Sequence, residues 1–143
     1  MEEAEHRRID VFFYGLFMDE ELLRAKGINA RNGRMARVEN FSLVIRERAT
    51  LVPSRDQTVY GLVFSLTHRE LDALYSEVSV SVYRPEAVSA KLADGRVIPA
   101  LCFNLPFLPP AASIAEANVP YGSKLRELAT RIGLPAEYVT SIQ

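Results

Sequence analysis

Hydrophobic and polar positions along the chain alternate between two periods, and the switches between them mark the predicted elements. Residues 9–14 form a nearly continuous apolar run of β type, the pattern of a central strand buried on both faces. Residues 19–26 carry acids at the start and a base at the end, and Gly27 follows; this is a short helix with charges that suit its dipole. Residues 28–33 are polar and loop-like. Strand character returns over 34–46, with Val38, Phe41, Leu43 and Ile45 as core positions, the last three alternating. Residues 49–57 read as a connection ending in turn residues, and 58–66 as a strand rich in Val, Tyr and Phe. Gly61 inside that strand marks a bend, a bulge or a close backbone approach.

Thr67 and Glu70 have the spacing of a capping box, which predicts a helix running through Leu71 and Leu74, with His68 on its exposed first turn. Residues 78–92 read as one long extended segment broken near Arg84-Pro85. Asp94-Gly95 is a hairpin signal, and 96–105 the returning strand, with Pro99 implying an edge or bulge there. Residues 105–110 are apolar and proline-rich without periodicity. Ser113 and Glu116 offer a second capping box. Residues 120–132 carry Leu125, Leu128 and Ile132 on one helical face and stop at Gly133; Pro135 opens a last short helix. No internal repeat or domain boundary interrupts the pattern. The expectation is one α+β domain over residues 1–143, a small mixed sheet curled like a barrel with peripheral helices.

Composition narrows the partners more than the fold. At 143 residues, 48% hydrophobic, the chain is long enough to bury a sizeable core. A net charge of −1 with no basic block gives no footprint for nucleic acid. No apolar run approaches the roughly 20 residues of a membrane span, and residues 1–8 are charged with no signal-peptide core. Cys102 is the one cysteine; it sits in an apolar run and fits a reducing, cytoplasmic setting. With two histidines, a His-rich metal site is not available.

The stretch with the most chemical promise is Phe12-Phe13-Tyr14-Gly15-Leu16-Phe17-Met18-Asp19. A strand that breaks at Tyr14-Gly15 before a helix start leaves backbone N–H groups suited to a carboxylate or a polarised carbonyl. The plain alternative is that Gly15 permits a tight turn and Tyr14 fills core.

This stretch resembles the Tyr-Gly-(Ser/Thr)-Leu loop of the γ-glutamylcyclotransferase-like superfamily, which includes the AIG2-like proteins. Further matches follow in order. Ala49-Thr50-Leu51-Val52-Pro53, then Val59-Tyr60-Gly61-Leu62-Val63-Phe64, resembles a valine-proline, a turn and a V-x-G strand. Leu71-Asp72-Ala73-Leu74-Tyr75-Ser76-Glu77-Val78, then Tyr83-Arg84-Pro85, resembles an L-D-x-x-E-G … Y segment. Pro120-Tyr121 and Gly133-Leu134-Pro135-Ala136-Glu137-Tyr138 resemble the C-terminal tyrosine and Gly-Leu-Pro-x-x-Tyr of several members.

The resemblance implies a compact barrel-like α+β fold and a cofactor-independent reaction on a small γ-glutamyl substrate. The free α-amine attacks its own γ-carbonyl, giving 5-oxoproline and releasing an amine or amino acid. Such an attack is intramolecular, and well-oriented cases reach effective molarities of roughly 10⁵ M or more. One carboxylate can move both protons if partial burial raises its basicity. The resemblance assigns that role to Glu77, which falls after the apolar face Leu71, Leu74 and Tyr75 and close to Val78, Val80 and Val82; otherwise Glu77 is an exposed residue at a helix-to-strand junction. It also implies that Tyr14, Gly15, Leu16 and Phe17 hold the substrate or its oxyanion, and that Tyr83 and Tyr121 line the pocket. Two positions depart from the family: Leu16 replaces Ser or Thr, and Val78 stands where the family has glycine after its glutamate. A binding module that has lost catalysis is therefore the rival expectation. The leaving amine and the oligomeric state are left open by the sequence.

Overall fold

The computed structural model describes residues 7–107 and 119–142. Strand β1 (Arg8–Phe13) is the apolar run expected at the centre of the fold, and its side chains alternate between two cores. Phe12 and Tyr14 join the cluster that includes Val38, Val59, Val63, Ala90 and Cys102. Val11 and Phe13 face the other way, into a cluster that includes Leu23, Leu66, Leu74, Leu125 and Leu128. A strand buried on both sides needs no alternation in sequence, and Val11-Phe12-Phe13, the buried end of β1, has none.

Four further strands complete a closed barrel: β2 (Arg31–Ile45), β3 (Ala49–Thr67), β4 (Arg84–Leu92) and β5 (Val97–Asn104). Around it the order is β1-β3-β2-β4-β5, antiparallel throughout except where β5 returns beside β1 in parallel, Val11 opposite Leu101. The mixed, barrel-like α+β architecture expected from sequence is the one observed. At Gly61 a Cβ would collide with the Phe13 carbonyl and stand 2.9 Å from the Phe12 ring, so this glycine is required by close backbone approach.

Residues 49–57 are not a connection. They form the first half of the 19-residue β3, because the tail of β2 supplies a partner: Leu43 pairs with Leu51 and Ile45 with Ala49. The bulge between Glu39 and Phe41 puts Asn40 at positive φ, and the Asp56 N–H donates to the Asn40 side chain at 3.1 Å. The hairpin tip is therefore Arg46-Glu47-Arg48, which reaches the site described below.

The helices pack outside the barrel: α1 (Glu20–Ala25), α2 (His68–Leu74), α3 (Val119–Ile132) and α4 (Ala136–Ser141). The capping box at Thr67 forms as expected, with the Thr67 Oγ1 accepting from the Glu70 N–H at 3.1 Å and the Thr67 N–H donating to the Glu70 carboxylate at 2.8 Å. Leu125 and Leu128 of α3 are buried, and the helix ends at Gly133. The long extended segment expected over 78–92 splits in two: residues 75–83 are a series of turns, and β4 starts only at Arg84. The second capping box, Ser113 to Glu116, lies outside the described residues. Among the described residues no helix is long and apolar enough to cross a membrane.

Candidate functional site

Tyr14 directly follows β1, with its ring in the barrel core and its hydroxyl donating to the Phe103 carbonyl at 2.9 Å. The chain then does not pass directly into a helix. Gly15 leads into a single 3-10 turn, Leu16–Met18, and only after it does Asp19 cap α1, accepting from the Glu21 and Leu22 N–H groups at 3.1 and 3.4 Å. The N–H groups opening α1 are thus engaged by this chain's own carboxylate. Gly15 itself is extended, with φ at −116°, so its glycine character serves proximity and not a left-handed turn. A Cβ there would stand 2.5 Å from the Tyr121 hydroxyl. The hydroxyl of Tyr121, from α3, thus lies against Gly15, which couples this helix to the loop.

Around this loop lies a cavity of about 320 Å³. It gathers every residue singled out from sequence: Tyr14, Gly15, Leu16, Phe17, Glu77, Tyr83 and Tyr121 all line it. A wider groove of about 1200 Å³ runs on the outer side between α1 and the last two helices, but of these residues only Leu16 borders it. The smaller cavity is the candidate site because the candidate chemistry converges there.

Its interior is aromatic. Tyr75, the residue closing α2, stacks on Phe103 with ring centres 4.0 Å apart and planes at 12°. Phe17 meets Tyr75 edge-on at 5.9 Å, and Tyr83 leans on it at 6.3 Å. Tyr83 donates its hydroxyl to the Ala49 carbonyl in a short hydrogen bond, tying the turns to the start of β3. Burial pushes the Tyr83 phenol up to about 12. Burial raises Tyr14, Tyr75 and Tyr121 above the ordinary phenol range too. Each of these phenols is a neutral donor at physiological pH. Cys102 is buried below, its thiol pushed up to about 12 by burial, which leaves it protonated and unsuited to nucleophilic attack.

The charged lining groups are Lys26, Glu47, Arg48 and Glu77, and they sit where the cavity opens. Glu77 is not enclosed by valines. Its side chain is 41% exposed, Val78 is 87% exposed and Val82 also faces solvent, because the turns present these residues outward. Instead, Glu77 accepts from the Lys26 ammonium through both oxygens, at 2.8 and 2.9 Å. Arg48 from the β2–β3 tip donates to the Ser79 carbonyl at 3.1 Å and holds the same turns from the other side. Val78 does not plug the cavity. Among the described non-glycine residues, positive φ occurs only at Asn32, Asn40 and Asp56, so valine is accommodated where glycine was expected.

Tyr75, Lys26, Phe103 and the hairpin tip were not anticipated from the sequence as part of the site. One signal was available: along the L-D-x-x-E-G pattern starting at Leu71, the glutamate position falls on Tyr75, and Glu77 stands two residues later. No pattern could have paired Lys26 with Glu77, which lie 51 residues apart.

A closed five-stranded mixed barrel with helices packed outside and a small cavity beside a Tyr-Gly loop defines a recognisable class. The chain belongs to the gamma-glutamyl cyclotransferase, AIG2-like family, whose model matches residues 11–120. Solved structures share the fold. One, a gamma-glutamyl cyclotransferase, is 19% identical with a TM-score of 0.77, over 95% of this chain and 88% of that one. An uncharacterized protein from Homo sapiens is 20% identical with a TM-score of 0.76, over 96% and 89%. YkqA from Bacillus subtilis is 22% identical with a TM-score of 0.75, over 98% of this chain and 54% of that one. No curated protein sequence matches.

Proposed function

We propose that this protein is a γ-glutamylcyclotransferase-type enzyme that converts a γ-glutamyl amine or peptide into 5-oxoproline and a free amine or amino acid. The observation that carries the reading is convergence: Glu77, the Tyr14–Phe17 loop, Tyr83 and Tyr121 border one cavity of about 320 Å³, a volume suited to a small molecule. Glu77 takes a proton from the substrate α-ammonium. The freed amine nitrogen bonds to the γ-carbonyl carbon, Glu77 returns the proton to the departing nitrogen as the amide C–N bond breaks, and the ring nitrogen gives up its second proton through Glu77 to the released amine, which leaves as an ammonium. The loop walls hold the glutamyl chain bent, which supplies the orientation that intramolecular attack needs. The developing oxyanion is met by phenol O–H groups from Tyr75 or Tyr121, which line the same cavity. The reaction draws on no cofactor, and we place it in the cytoplasm, where a lone buried Cys102 stays reduced.

A second reading is favoured by one observation. The spacing that holds the family glutamate carries Tyr75, a group that cannot accept a proton near neutral pH. A module that binds a γ-glutamyl compound without turning it over fits that fact. Incubation with γ-glutamyl amides and peptides, with 5-oxoproline quantified, separates the two. Release supports the enzyme; thermal stabilisation by the same compounds without release supports the binding module.

A further inference from the structure

The cavity separates charge from aromatic surface. Its charged lining residues, Lys26, Glu47, Arg48 and Glu77, are at the opening, whereas the interior wall is the stack of Tyr75 on Phe103 flanked by Phe17 and Tyr83. A charged ligand group among those rings would lose its water and gain no counter-charge. A flat apolar group there replaces water with ring contacts of the kind already present between Tyr75 and Phe103. At the opening, the Lys26–Glu77 pair places one positive and one negative group 2.8 Å apart. That is the charge pattern complementary to an α-amino acid, ammonium toward Glu77 and carboxylate toward Lys26.

We infer that the ligand is a γ-glutamyl amide of an apolar, aromatic amine, with its α-amino-acid end exchanging into the Lys26–Glu77 pair and its amine portion lying on the Tyr75–Phe103 wall. The chemistry of release rests on the cyclotransferase reading, but the fit does not. Glu77 reaches the α-amine from the opening, so the γ-carbonyl and the amine it carries point inward. A second zwitterion on the leaving group has nowhere to be solvated in this orientation. The hairpin tip at Arg48 and the turns at Ser79 narrow the opening around the head group.

The test compares γ-glutamyl-phenethylamide with Nε-(γ-glutamyl)lysine, whose leaving nitrogens are both primary alkyl amines, so leaving-group basicity is matched closely enough for fit to dominate. The expected result is a kcat/KM for the phenethylamide at least about tenfold higher, expressed mainly in KM. Tyr75→Leu, with its thermal midpoint measured beside wild type, is expected to bring the ratio of the two kcat/KM values close to one; loss of the Tyr75 hydroxyl acts on both compounds alike and cancels in that ratio. An equal or reversed preference in wild type overturns the inference and leaves the cyclotransferase reading standing. If neither compound yields 5-oxoproline, the cyclotransferase reading falls, and thermal shift with the same two compounds reads the fit alone. Stabilisation by the phenethylamide over the lysine compound then supports the inference; equal stabilisation, or none from either, overturns it.

Discussion

The Lys26 ammonium, at the end of α1, lies 2.8 and 2.9 Å from the two carboxylate oxygens of Glu77, joining that helix to the turns after α2 across the opening of the cavity. Both side chains are partly exposed, and such pairs contribute only about 0–1 kcal/mol to stability. The pairing matters more for where Glu77 points. Lys26→Met is expected to raise KM for γ-glutamyl substrates about tenfold, equivalent to about 1.4 kcal/mol of binding. Its unfolding free energy should change by less than about 1 kcal/mol. Lys26→Arg keeps the charge and should recover most of the loss. An unchanged KM in Lys26→Met contradicts this role.

Gly15 and Tyr121 form a second coupled pair. With a Cβ at residue 15 standing 2.5 Å from the Tyr121 hydroxyl, Gly15→Ala is expected to cost about 1–3 kcal/mol in urea unfolding. The ring carbon that bears the hydroxyl is 3.8 Å from the same point, an ordinary contact distance. Tyr121→Phe should therefore relieve the collision. The double variant is expected to be more stable than the sum of the single losses predicts. Strict additivity would show that the two positions do not meet.

The buried phenols set an alkaline limit. Burial, aided by the neighbouring Tyr121 and opposed by Arg48, raises Tyr83 from the usual 10 to about 12 in the folded protein. A raised phenol pKa favours the folded state fully below pH 10, and that contribution is lost as the pH climbs from 10 through 12. Tyr14, Tyr75 and Tyr138 act in the same direction. Phenolate absorbance from these residues should appear together with the loss of circular dichroism, not as a free titration near pH 10. Tyr83→Phe also removes the bond to the Ala49 carbonyl, at a cost of about 1 kcal/mol at neutral pH, read as a lower thermal midpoint.

The parts of this structure legible in the sequence are those set by near neighbours in the chain. β1 showed as an apolar run, α2 through its Thr67–Glu70 cap and α3 through the spacing of Leu125 and Leu128, because each depends on residues within a few positions. Residues 49–57 misled because Pro53 and the polar tract after it carry turn character, and only the β2 tail, a tertiary partner, makes them strand. Residues 78–82 misled in the opposite sense. Alternating valines suggest a strand, yet among the described residues no strand pairs with them, and Val78 and Val82 point to solvent. The Tyr-Gly loop was visible as a motif. Its reason was not, since Gly15 is required by the hydroxyl of Tyr121, 106 positions later, and not by its own backbone angles. Lys26 shows in the sequence only as the basic end of a helix.

The central claim is that Glu77 moves the proton in the cyclisation, and the most direct measurement is 5-oxoproline release by wild type beside Glu77→Gln. Glutamine keeps the size and hydrogen-bonding shape of the side chain but cannot accept a proton. Release at least about 100-fold slower in the variant, with the thermal midpoint nearly unchanged, is the predicted result. Release at the wild-type rate by a folded Glu77→Gln protein would contradict it and remove Glu77 from the chemistry.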